Sequence, residues 1–132
     1  MDDVTRHDLV SGLFVTLEGN ETVRNRECLY PASKLIANIL RALQRKAYIG
    51  EFEYIEDGRG GKFKIQLLGR INRCRSIRPR QSAQVRDYEK WEKIFLPARG
   101  LGMLIVTTPR GVMSHLDAKN EKLGGKLLGY VY

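Results

Sequence analysis

The chain has 132 residues, 42% hydrophobic and 29% charged, which fits one domain or two small lobes with a buried core and excludes a disordered chain. Its net charge of +8 and isoelectric point near 9.7 point to a polyanionic partner, with nucleic acid ahead of an anionic membrane surface. Aromatics at 8% argue against extensive base stacking on exposed rings. No run approaches the ~18 apolar residues of a membrane span. Met1 to Arg6 lacks the basic-then-apolar order of a secretory signal, so no signal peptide is expected, and with no such span no membrane partner is expected either.

Leu9, Val10, Leu13, Phe14 and Leu17 recur at helical spacing and predict a first helix, with Asp8 as a cap or first-turn residue. Gly12 weakens that helix, and Gly19-Asn20 reads as its stop. Residues 20–27 are polar and read as a loop or weak edge strand. Residues 27–30 form a short strand ended by Pro31. Ser33 is a good N-cap for a second helix, whose apolar face is Leu35, Ile36, Ile39, Leu40 and Leu43. Phe52, Tyr54 and Ile55 suggest a strand. Phe63, Ile65 and Leu67 alternate with Lys64 and Gln66, as in a half-buried antiparallel strand. Between them Asp57-Gly58-Arg59-Gly60-Gly61 reads as a hairpin turn. No helix follows these glycines, so a phosphate-cradling loop is the poorer reading.

The composition shifts at Gly69, which places a lobe boundary between residues 1–68 and 69–132. Arg70, Arg73, Arg75, Arg78, Arg80 and Arg86 fall in a span of little apolar content. Together with Pro79 it reads as a loop or broken strand. Such a run is either a solvated charged face or a stripe laid along phosphates. Residues 87–95 predict a helical turn stopped by Pro97, with Trp91 as a packing residue. Residues 103–106 are an apolar strand, 114–122 a helix ended by Leu123-Gly124-Gly125, and 126–132 a final strand.

Between the 103–106 strand and the next helix lies Thr107-Thr108-Pro109-Arg110-Gly111. The threonine hydroxyls can meet phosphates or sugars. Pro109 interrupts the strand ladder, and Arg110 offers a planar fork of donors. Gly111 allows a positive φ. Ser114 with Asp117 resembles a capping box at the helix start. The stretch reads either as an ordinary strand–loop–helix connection or as an RNA-contacting surface. Cys28 and Cys74 are too far apart for paired-cysteine metal spacing and read as buried, reduced thiols. His7 and His115 are the two histidines, and neither falls in a catalytic order. No metal motif or P-loop is present. The chain therefore reads as a non-enzyme, without cofactor or small-molecule substrate.

Five stretches together carry a family resemblance. They are Pro31-Ala32-Ser33-Lys34-Leu35-Ile36, residues 48–53 running into Asp57-Gly58-Arg59, Leu96-Pro97-Ala98-Arg99, Thr107 through Ala118, and Gly124 through Tyr132. The chain resembles the small-subunit ribosomal protein eight family in its archaeal and eukaryotic form, well over residues 28–132 and loosely before them.

The resemblance implies an α+β fold of two small lobes, the N-terminal one αβαββ and the C-terminal one β-rich with a short helix. It implies direct binding to a helix in the central domain of small-subunit rRNA, with neighbouring small-subunit ribosomal proteins as further partners, in the ribosome of the cytoplasm. The family's Ser/Thr-rich loop maps onto Thr107, Thr108, Pro109, Arg110 and Gly111, with Val112 and Met113 shaping the same surface. Its Ser-Lys pair near RNA backbone maps onto Ser33 and Lys34. Pro109 stands at the loop's third hydroxyl position, and Asp8-Leu9 replaces the usual Asp-Pro of the first helix. Arg78 and Arg80 are expected to compensate through phosphate contacts. Bacterial relatives also bind an mRNA that mimics the rRNA site, so a regulatory RNA-binding role is the alternative.

Overall fold

The computed structural model describes residues 3–78 and 80–132, with the side chains of residues 3–8 left out of the description. The readings of His7 and Pro79 therefore lie outside the described residues, whereas Asp8 falls inside the first helix, which begins at Asp3, and not in its cap or first turn. The fold is α+β, with two compact units, 1–72 and 73–132.

The first unit runs α1 (Asp3–Thr22), β1 (Glu27–Pro31), α2 (Lys34–Arg45), β2 (Ile49–Ile55) and β3 (Lys62–Leu67), the αβαββ order that the resemblance implies. Its sheet is antiparallel, in the order β1-β3-β2. Helix α1 contributes Val10, Leu13, Phe14 and Leu17 to the core. Burying a side chain of this size gives roughly 1.5–3 kcal/mol, more than the roughly 0.5–1 kcal/mol lost by a glycine inside a helix. Gly12 therefore does not break it. The helix also runs past the expected stop at Gly19-Asn20 to Thr22.

Ser33 caps α2 as its sequence predicts, its hydroxyl accepting the Ile36 N–H at 3.2 Å. Strand β2 starts at Ile49, earlier than Phe52, because Ile49 is buried and pairs with Leu67 across a bulge. The turn after β2 is the expected hairpin. The Asp57 carboxylate accepts the N–H groups of Arg59 and Gly61 at 2.8 and 2.9 Å, and these bonds hold its carboxyl below the usual range. Residues 69–72 run with this unit. The Glu21 carboxylate accepts the Gly69 and Ile71 N–H groups at 3.1 and 3.3 Å.

The second unit runs β4 (Cys74–Ser76), β5 (Ser82–Ala83), a 3-10 turn (Val85–Asp87), α3 (Tyr88–Phe95), β6 (Met103–Thr108), β7 (Gly111–Ser114), α4 (His115–Asn120) and β8 (Gly125–Val131). The sheet order is β4-β8-β6-β7, and β5 also pairs with β8. The arginine-rich span is thus the broken strand of the sequence reading, its two pieces both paired antiparallel to β8. Ile77, Ala83, Tyr88, Leu104, Val106, Met113, Ala118 and Leu127 form the core. Trp91 packs, as expected. It stacks on Phe95, which stacks on Tyr130 at 5.3 Å between ring centroids, which in turn stacks on Tyr132. Neither Cys28 nor Cys74 is in a disulfide and both are buried, and burial beside Glu21 pushes the Cys28 thiol up to about 11.

Candidate RNA-contacting hairpin

The stretch from Met103 to Ala118 is not a strand, an open loop and a helix. Thr107 and Thr108 belong to β6, and Gly111 to Ser114 form β7, paired antiparallel to it. Only Pro109 and Arg110 remain as the turn. The correction has a local cause. The Thr108 hydroxyl donates to the Gly111 carbonyl at 2.8 Å and accepts the Arg110 N–H at 3.2 Å. Pro109 presets the φ of the first turn position. Gly111 takes φ +118°, the positive φ its sequence suggests, with no neighbour within 4 Å of a Cβ there. Conformation, not space, selects this glycine.

The hairpin sorts its side chains into two groups. Arg110 is 72% exposed at the tip and meets the Glu121 carboxylate at 3.2 Å. An exposed pair of this kind contributes about 0–1 kcal/mol, so a phosphate can displace it. Thr107 is half-buried and faces Lys126 across β6 and β8. Thr108 is buried and its hydroxyl works within the turn. Val112 and Met113 are buried, so their side chains shape the surface from beneath rather than stand on it. Lys126, exposed beside Thr107, is a cation that motif reading missed. Its alternation with buried Leu127 in the last strand was the available signal.

The hairpin is held at its base by a buried polar relay. Ser114 caps α4, its hydroxyl accepting the Asp117 N–H at 3.1 Å. His115 follows and is almost fully buried. Its Nδ1 accepts the Leu104 N–H at 3.0 Å, which leaves Nε2 to carry the ring proton and donate to Glu92 Oε1 at 2.5 Å. Lys119 Nζ donates to the same oxygen at 3.1 Å. Burial pushes the His115 imidazole below its ordinary value and outweighs the upward pull of Glu92; an Nδ1 that accepts the Leu104 N–H is itself unprotonated, which is the same neutral form. Burial alone would raise the Glu92 carboxyl. The hydrogen bonds from Lys119 and His115, with the Lys119 charge, outweigh that and leave it lowered. The relay ties α3, β6 and α4 together. Of the two roles open to His115, capping or packing, the structure gives it packing, since Ser114 is the cap of α4.

The other singled-out residues lie elsewhere. Ser33 and Lys34 are exposed at the start of α2 in the first unit, where the Ser33 hydroxyl is engaged by the Ile36 N–H. Arg78, exposed, and Arg80, half-buried, lie in the link between β4 and β5 in the second unit. Among the described residues, no three His, Cys, Asp or Glu side chains gather to hold a metal, and no helix is long and apolar enough to cross a membrane.

The sequence profile of the family described as ribosomal protein S8 matches residues 8–132. The chain is 51% identical over 126 residues to the small ribosomal subunit protein uS8 of Nitrosopumilus maritimus, covering 95% of this chain and 97% of that protein. It is 48% identical to the proteins of the same name from Caldivirga maquilingensis and Pyrobaculum islandicum, over the same shares. With a match across nearly its whole length and relatives at half identity, this chain belongs to the ribosomal protein S8 family.

Proposed function

We propose that the protein is a structural constituent of the small ribosomal subunit that binds a helix in the central domain of small-subunit rRNA. Its partners are that RNA and neighbouring small-subunit proteins, and it acts without catalysis. The observation that carries this is the Thr107–Gly111 hairpin. It is a two-residue turn closed by the Thr108 hydroxyl, presenting an exposed Arg110 at its tip and a Thr107–Lys126 pair in the strands behind it, on a chain of charge +8. Duplex RNA is read by shape and by its sugar hydroxyls, so a narrow rigid tip with one fork of donors suits a shallow, irregular groove. Arg110 and Thr107 would meet RNA directly. Thr108, Gly111, Val112 and Met113 would set the shape of the tip. Ser33, Lys34, Arg78 and Arg80 would add backbone contacts, each strengthening binding at low salt. The family membership and the names of the relatives support the ribosomal setting.

The experiment is a titration of the protein with a central-domain rRNA hairpin and with an unrelated duplex at physiological salt. Selective binding with a modest salt dependence is expected. Equal, steeply salt-dependent binding to both RNAs would replace this reading with generic charge attraction.

A further inference from the structure

Helix α1 ends through a left-handed residue that is not glycine. The Asn25 N–H donates to the Asn20 carbonyl at 2.9 Å and the Arg24 N–H to the Glu21 carbonyl at 3.1 Å, so the chain leaves the helix through a left-handed turn at Arg24, φ +61°. Glycine is the usual residue at such an exit, because a Cβ there costs about 1–2 kcal/mol. An arginine holds the position here. It stands on a groove of about 800 Å³ within the first unit, whose polar wall is Arg24, Asn25, Arg26, Gln66 and Asn72. Arg24 and Arg26 are both exposed, and among the described residues neither forms an ion pair. Glu21 is the acid in the wall, and its two oxygens are occupied by the Gly69 and Ile71 N–H groups. Gln66 Oε1 takes the Glu51 N–H, which leaves its amide donors. Two guanidinium forks among side-chain amides are donors of the kind that phosphates and sugars accept.

We propose that this groove is a second RNA-backbone contact, in which Arg24 and Arg26 each meet a phosphate. It rests on the reading of the chain as an RNA binder, but on residues separate from the hairpin. The retained arginine at a glycine position gives the test its leverage. Arg24→Gly relieves backbone strain while removing the cation, so folding and binding move in opposite directions.

The test uses the full chain and a transcript of the rRNA central domain, with affinity measured across a salt series. Wild type is compared with Arg24→Gly, Arg26→Gln and, as the hairpin control, Arg110→Ala. Arg24→Gly is expected to melt no lower than wild type, yet to bind more weakly with a log–log salt slope shallower by about 1, and Arg26→Gln to lose a similar increment. Wild-type affinity and slope in both groove variants, with Arg110→Ala weakened, would overturn the groove and leave the hairpin standing. Weakened groove variants with Arg110→Ala unchanged would keep the groove and remove the hairpin. Arg24→Gly losing fold and binding together, with Arg26→Gln unaffected, overturns the groove, because Arg24 would then be structural. Polyglutamate binding that weakens in both groove variants while their RNA affinity stays at the wild-type value would assign the groove to an acidic protein instead and equally overturn it.

Discussion

The Tyr30 hydroxyl reaches from β1 to the underside of α1, where it lies against Gly12 and donates to the Leu9 carbonyl at 2.5 Å. A Cβ on residue 12 would come within 2.5 Å of that oxygen but 3.5 Å from the ring carbon that bears it. The glycine that looks like a flaw in a helix is thus the notch for a cross-element hydrogen bond. Gly12→Ala should destabilise the first unit, although alanine is the better helix former. Tyr30→Phe should cost about 0.5–1.5 kcal/mol for the lost bond. The double variant should be less destabilised than the sum, with a coupling of about 1 kcal/mol in urea denaturation, since the phenyl ring tolerates the new methyl. Additivity within about 0.3 kcal/mol would remove the notch as the reason for Gly12.

The His115 relay sets a pH dependence with a definite sign. In the folded protein the imidazole is held below its ordinary value of 6.5, so the unfolded chain binds the proton more readily. The stability it contributes is therefore complete above about pH 6.5 and falls as the pH drops through the folded value. Glu92 adds a second loss lower down. Its carboxyl is also lowered, so its contribution is complete above its ordinary 4.5 and lost below. Denaturation midpoints measured from pH 8 to pH 5 should decline below neutrality, and His115→Asn should flatten the upper part of that decline. A wild-type midpoint that rises on acidification would contradict the neutral tautomer.

Gly111 and Gly125 should respond to alanine for different reasons. Gly111 has open space but a positive φ, so Gly111→Ala should cost about 1–3 kcal/mol in backbone strain and distort the hairpin tip. Gly125 lies between β5 and β6, and a Cβ there would run into the Thr107 carbonyl oxygen, a backbone atom that cannot rotate away. Gly125→Ala should therefore cost about 2 kcal/mol or more and loosen β6 from β8. Amide hydrogen exchange distinguishes the two. Gly111→Ala should expose the turn alone, and Gly125→Ala the β6–β8 ladder. Equal protection of that ladder in both variants would discard the packing argument.

Much of this fold is legible where signals are local. Ser33 before an apolar 3.6-residue rhythm gives α2, and alternation gives β3. The exits of the helices are less legible, for a common reason. Helices α1, α2 and α4 each leave through a left-handed residue with a side chain, namely Arg24, Ala47 and Lys122, at φ +61°, +62° and +58°. Paired backbone hydrogen bonds close each exit, for example Tyr48 N–H to the Leu43 carbonyl and Leu123 N–H to the Ala118 carbonyl. They carry the cost, and no glycine marks the place. The glycines that do look like stops, Gly19-Asn20 and Gly124-Gly125, respectively lie inside α1 and admit β8 between its neighbours. The partners of His115 were hidden for another reason. Glu92 is 23 residues away in sequence, and only the packing of α3 against α4 brings it near. At the hairpin, residue types were readable but their facing was not, because the two-residue turn turns Thr108 inward.

Ala47 offers the cleanest check on those exits, since it carries no charge. Ala47→Gly should raise stability by about 1 kcal/mol, as the relief of a left-handed Cβ outweighs the added freedom of the unfolded glycine. Thermal melting reads this directly, and a lowered midpoint would mean that the exit is not strained.

Arg110 and Glu121 test the hairpin from both sides. Arg110→Ala should weaken binding to the central-domain hairpin by about 1–3 kcal/mol if the guanidinium is bidentate to a base edge, and by less if it meets one phosphate. Glu121 holds the same guanidinium at 3.2 Å in the free protein, so RNA must compete with it. Glu121→Gln removes that competitor and a nearby negative charge, and should tighten binding by up to about fivefold, the worth of an exposed ion pair of ~1 kcal/mol. In the Arg110→Ala background most of that gain should vanish, because the guanidinium it released is gone. A Glu121→Gln gain of the same size in both backgrounds would mean that the carboxylate acts only through its long-range charge. Arg110 would then have to reach RNA, if at all, without leaving Glu121.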